Sequence, residues 1–101
     1  MAAIHVSKSE NTGTVTISIR DRFDFNAHKE FRASYKEHPS SSKYVINMQD
    51  VNYIDSSALG MMLLLREHAL KNSGDVAITN CNANIKKILA IANFGRLFDI
   101  Q

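Results

Sequence analysis

Asp55-Ser56-Ser57-Ala58-Leu59-Gly60 decides how this chain is read, because it puts an acid and two hydroxyls where a strand ends and a helix begins. Just upstream, Tyr44-Val45-Ile46-Asn47-Met48 is apolar on both faces and reads as a central strand. Downstream, Ala58 to Leu65 is apolar all round, so the helix it opens is expected to be buried along most of its first two turns. That helix should run from Ser57 to about Asn72 and close at Gly74, a residue suited to a left-handed C′ position. Gly60 costs about 0.5–1 kcal/mol in a helix relative to alanine, which implies close backbone packing at that point.

Working outward, Ile4 and Val6 alternate with polar neighbours, as do Val15, Ile17 and Ile19. A period of two predicts two strands with one wet face, joined as a hairpin through Asn11-Thr12-Gly13. A helix is expected from about Ala27 to Glu37, capped by Asn26, buried along Ala27, Phe31 and Tyr35, and ended by Pro39. Ser40-Ser41-Ser42 then reads as a short loop. Val76-Ala77-Ile78-Thr79 is a further buried strand, and Asn82 caps a last helix carrying Ile85, Ile88, Leu89 and Ala92 at helical spacing. Phe94-Gly95-Arg96-Leu97-Phe98 is expected to return to the sheet edge. The order β-β-α-β-α-β-α predicts an α/β fold, a mixed sheet of four to five strands with helices packed on it.

The 101 residues form one expected domain, 1–101, large enough for a core without disulfides or metal. A formal net charge of +2, with no basic cluster longer than Lys86-Lys87, gives no footprint for direct nucleic-acid binding. The lone Cys81 excludes an internal disulfide and fits a reducing compartment. The first seven residues lack the pattern of a secretory signal, and the longest apolar run is far short of the ~20 residues that span a bilayer. A cytoplasmic protein with no membrane insertion is expected.

Ser56 and Ser57 admit three chemical readings: helix cap, nucleophile, or acceptor of a phosphate at the positive end of a helix dipole. A cap needs one such residue, whereas Asp55, Ser56 and Ser57 supply three in succession. A hydrolase elbow wants Gly-x-Ser-x-Gly, but Asp55 and Leu59 stand at those places around Ser57. His5, His28, His38 and His68 all read as solvated, show no metal-ligand spacing and offer no positioned base. No cofactor, metal or enzymatic activity is expected. The rim of the sheet, where α/β folds place their functional loops, favours the phosphate reading.

The segment resembles the signature of the STAS domain, and most closely that of bacterial anti-sigma factor antagonists, which carry Asp-Ser-Ser/Thr-Gly-Leu-Gly at the same junction. Asp55, Ser56, Ser57, Leu59 and Gly60 match directly, and Ala58 stands for the usual glycine. Before the first helix, Asp24 matches the acid of the family's Gly-x-x-Asp, with Asp21 in place of the glycine. Ile85-Lys86-Lys87-Ile88-Leu89 and Phe94 to Phe98 look like the family's closing helix and edge strand.

By position, the resemblance implies Ser56 as the phosphorylated residue and Ser57 as a secondary acceptor. Asp24, Phe25, Asp55, Ser57 and Met61 are the implied partner-binding residues, Met61 if its thioether reaches the surface. The implied function is an anti-sigma factor antagonist acting as a partner switch in transcription regulation. Its unphosphorylated form would bind an anti-sigma factor or a serine kinase of the anti-sigma type, and a metal-dependent serine phosphatase would restore that form. Similar proteins also serve as accessory subunits of lipid-transport ABC systems, where the hydroxyls need not be modified. Nucleotide binding, suggested for some members, finds no Gly-x-x-x-x-Gly-Lys-Ser/Thr here.

Overall fold

A computed structural model describes residues 4–38, 43–71 and 73–101. Its strands are β1 (Ile4–Lys8), β2 (Val15–Phe23), β3 (Lys43–Ile54), β4 (Asp75–Thr79) and β5 (Asp99–Ile100). Its helices are α1 (His28–Lys36), α2 (Ser56–Leu70) and α3 (Ala83–Ile91). The five strands lie side by side in sequence order, β1 antiparallel to β2 and every later pair parallel. The hairpin closes through Gly13, whose φ of 72° is the left-handed conformation that glycine adopts without a Cβ penalty. The expected α/β mixed sheet is what the chain forms.

Successive right-handed crossovers that all step the same way across a sheet place their helices on one face. Burial agrees: Val15, Ile17 and Ile19 are sealed while Thr16 and Ser18 between them are half-buried. β3 is the central strand, yet only Tyr44, Ile46 and Met48 are fully buried, and Val45 and Asn47 look toward the open face. The same one-sidedness governs α2. Ala58, Met61, Met62, Leu65 and Ala69 pack inward, but Ser56 and Gly60 are exposed and Leu64 is half-exposed. A helix lying between one sheet and water keeps a wet face whatever its composition, so the expected burial of the first two turns does not occur. Among the described residues no helix is long and apolar enough to cross a membrane.

Several local expectations are corrected. Asp24, not Asn26, opens the first helical segment: its carboxylate accepts the Asn26 N–H at 3.0 Å and starts a 3₁₀ turn, Phe25–Ala27, ahead of α1. α2 begins at Ser56, one residue early, because Asp55 is the cap. At its far end Gly74 N–H donates to the Ala69 carbonyl at 2.9 Å and Ser73 N–H to that of Leu70 at 3.0 Å. This is a Schellman closure with Ser73, at φ 58°, in the left-handed place expected of Gly74. Phe94–Arg96 forms a 3₁₀ turn, and the edge strand is Asp99–Ile100 instead of 94–98. The expected stop at Pro39, the loop at Ser40-Ser41-Ser42 and the helix end at Asn72 fall outside the described residues.

Gly60 has no atom within 4 Å of where a Cβ would sit, so close packing does not explain it. Gly60→Ala is therefore expected to stabilise the fold by about 0.5–1 kcal/mol through helix propensity alone. A thermal melt should move up by a few degrees; a lower midpoint would mean that the position is crowded after all.

Candidate functional site

The parallel pair β2–β3 extends beyond the end of β4, with Phe23 opposite Ile54 as its last rung. This ribbon carries two acids, Asp24 and Asp55, to neighbouring places on the sheet rim. Two register shifts, between Ser18 and Arg20 and between Asp21 and Arg22, re-aim β2 as it approaches the rim. Asp21 sits at φ 63°, the region that favours glycine and that aspartate tolerates better than most residues.

Asp55 joins both rim segments. Its Oδ1 accepts the Ala58 N–H at 3.0 Å and so caps α2, while its Oδ2 accepts the Phe25 N–H at 3.3 Å from the other loop. Its own N–H donates to the Phe23 carbonyl at 3.3 Å. Asp24 accepts from the Arg22 guanidinium at 3.2 Å, and that guanidinium lies 4.1 Å from the centre of the Tyr53 ring. Only 13% of the Asp24 side chain is exposed, so its carboxylate shapes the loop more than it offers charge to solvent.

With Asp55 serving as the cap, the hydroxyls of Ser56 and Ser57 are released from that duty. Ser56 is exposed on the first turn of α2, Ser57 is half-buried, and Gly60, one turn on from Ser56, adds no side chain to shield it. Among the described residues no histidine ring hydrogen-bonds either hydroxyl. His68 is instead half-buried, its Nε2 3.0 Å from the Tyr44 hydroxyl, which donates to the His38 carbonyl at 2.8 Å. Burial lowers the His68 pKa below the usual value, a bond with the His38 carbonyl partly offsets this, and Lys36 and Lys71 lower it further. The expectation of four solvated histidines therefore fails at His68. Burial also pushes the Cys81 thiol upward, which keeps it protonated and poorly nucleophilic.

Of the residues singled out from the sequence, Asp24, Phe25, Asp55, Ser56 and Ser57 meet at this rim. Met61 does not: it is 5% exposed and packs in the core, because it follows Ala58 by three residues along the buried stripe. The aromatic pair beside Asp24 divides, with Phe23 at 0% and Phe25 at 68% exposure. Sequence reading missed the Arg22–Tyr53 stack and the half-exposed Leu64. The first has no short-range signal, and the second was hidden in an unbroken apolar run.

The profile of the STAS domain family matches residues 5–101. A STAS-domain containing protein of Pseudomonas aeruginosa (strain UCBPP-PA14) is 43% identical over 100 residues, covering 98% of this chain and 99% of that protein. Two solved structures share the fold at low identity. The Bacillus cell fate determinant SpoIIAA in its phosphorylated form superposes with a TM-score of 0.76 at 18% identity, covering 98% of this chain and 91% of that one. A proposed anti-sigma factor antagonist of Thermotoga maritima gives a TM-score of 0.83 at 17% identity, covering 96% and 84%. With the Asp-Ser-Ser junction at the rim of a one-sided mixed sheet and the profile matching almost end to end, the chain belongs to the STAS domain family.

Proposed function

We propose that this STAS domain is a cytoplasmic, non-catalytic partner switch controlled by phosphorylation of Ser56, with Ser57 as a secondary acceptor. The observation that carries the reading is the exposed Ser56 hydroxyl on the first turn of α2, left free for modification because Asp55 alone caps the helix. The likeness to anti-sigma factor antagonists, SpoIIAA among them, supports it. The unmodified form binds an anti-sigma factor or a serine kinase of the anti-sigma type through a surface made by Phe25, Ser56 and Ser57 on the frame of Asp24 and Asp55. Phosphorylation adds about −1.5 to −2 charges at the centre of that surface and releases the partner. A metal-dependent serine phosphatase resets the switch, and transcription changes indirectly through the freed regulator.

Intact-mass spectrometry of protein purified from its native cells tests this. One added phosphate, mapped to Ser56 by fragmentation, is expected in a fraction that varies with growth state. Protein that never carries phosphate at Ser56 or Ser57, whatever the condition, overturns the reading.

A further inference from the structure

α1 and α2 both start at the rim, tied there by the Phe25–Asp55 bond, and run back side by side along the sheet. A groove of about 320 Å³ lies between them, lined by Arg32 and Lys36 from one helix and by Leu64, Glu67 and the following Lys71 from the other. Lys29 extends the basic row on α1, so that Lys29, Arg32 and Lys36 fall at i, i+3 and i+7 on one stripe. The groove thus gathers three cations, Arg32, Lys36 and Lys71, against the single carboxylate of Glu67, and Lys29 lies just outside it beside Glu30 on a chain whose formal net charge is only +2. Among the described residues the one salt bridge joins Arg22 to Asp24, which leaves the groove cations without an ion-pair partner inside the fold. The neighbouring pocket under the rim mixes Arg20 and Arg22 with Asp21, Asp24 and Glu30, so it selects no charge.

One apolar side chain lines the groove and a second adjoins it. Leu64, 50% exposed, lines it, and Phe25, 68% exposed, lies beyond its rim end, stacked on the groove residue His28 with ring centres 5.8 Å apart. Regularly spaced cations flanking a few large apolar anchors suit an amphipathic helix laid in a groove, with carboxylates one and two turns apart. A lipid surface would want more apolar area than two side chains, and a nucleic-acid backbone would gain nothing from Leu64.

We propose that this groove docks an acidic amphipathic helix of the partner protein, its apolar residues on Leu64 and Phe25 and its carboxylates facing Lys29, Arg32, Lys36 and Lys71. The inference deepens the switch proposed above and rests on it for the role of Ser56. From Ser56 to Leu64 is about 12 Å along the helix, more than the roughly 8 Å screening length at physiological salt. A phosphate on Ser56 therefore repels the acidic helix mainly at its rim end, and the far cations continue to attract.

The test uses the full-length, ¹⁵N-labelled chain and a synthetic amphipathic helical peptide with leucine on one face and glutamate on the other. The same peptide with lysine for glutamate, anionic phosphatidylglycerol vesicles and a DNA duplex are the comparison ligands. The acidic peptide is expected to shift amides of α1 and of residues 60–71. Its affinity should fall at least about tenfold in the Arg32→Glu/Lys36→Glu double variant, and by a similar factor when salt rises from about 50 to about 500 mM. Both substituted side chains are exposed, and a thermal melt checks that the variant remains folded.

No binding of the acidic peptide, equal binding by the double variant, or preferential binding of vesicles or duplex overturns the groove proposal. The titration is then repeated with Ser56→Asp. Peptide affinity for Ser56→Asp is expected to fall less than for the double variant, because the charge acts at the rim end alone; a loss as large as that of the double variant would overturn the placement along the groove. Absent peptide binding removes the groove and leaves the mass-spectrometric test of Ser56 untouched.

Discussion

Ser56→Asp, and more strongly full phosphorylation, is expected to weaken the docked regulator by about two to three orders of magnitude, whereas Ser56→Ala should hold it constitutively. An exposed hydroxyl covered by a partner loses water at little cost, but an unpaired charge in the same place costs several kcal/mol, and each 1.4 kcal/mol is about tenfold in affinity. The helix N-terminus stabilises the added charge by about 0.3–1 kcal/mol both before and after binding, so it leaves the difference unchanged. Asp55, next in the chain, opposes the new charge in both states as well. The difference between free and bound forms thus comes from desolvation at the interface. Aspartate carries one charge where phosphate carries nearly two, so the mimic should fall at the lower end of the range. Calorimetric titration of an anti-sigma factor from the same cells against the three forms measures it; a Ser56→Asp affinity equal to that of the unmodified protein would sink the proposal.

Phe23→Ala is expected to cost about 3–5 kcal/mol of stability and to lower the melting midpoint by on the order of 20 °C. The ring is fully buried, with its centre 5.0 Å from that of Phe31, and the sheet and helices around it leave little scope for collapse into the vacated space. The same residue accepts the Asp55 N–H with its carbonyl, so its loss also loosens the frame beneath Ser56. Urea or thermal unfolding gives the magnitude, and a cost below about 1 kcal/mol would show that the ring is not packed as described. Phe25→Ala, two residues on, should leave stability nearly unchanged, since surface substitutions typically fall within about 0.5 kcal/mol.

The hairpin, the three helices and the parallel order were legible because each has its own period and its own punctuation. β3 was read as five residues and runs to twelve, since Gln49, Asp50 and Asn52 interrupt the apolar pattern. Those residues lie where the ribbon outgrows the sheet and face water, so polarity there says nothing against a strand. Phe94 to Phe98 reads from the sequence as a return to the sheet edge. Yet Phe94 and Phe98 are four apart, a helical interval, and their rings stack 5.0 Å apart on the core side. At the rim, Asp55-Ser56-Ser57 marked the place directly, but which of the three caps the helix depends on where the backbone turns. Met61 and Leu64 could not be assigned to a face while every neighbour was apolar. That choice belongs to the sheet, which covers one side only.

Asp55 spends both of its oxygens on backbone N–H groups from separate loops, so neither is spare to turn aside when a second anion arrives next to it. If Ser56 is modified as proposed, the added charge is answered by the helix N-terminus, by solvent or by another protein. Modified and unmodified molecules should accordingly share one backbone and differ only in what tolerates contact with them. On the proposed switch, the message would be carried by the skin of the protein, and its reader would have to supply the moving parts.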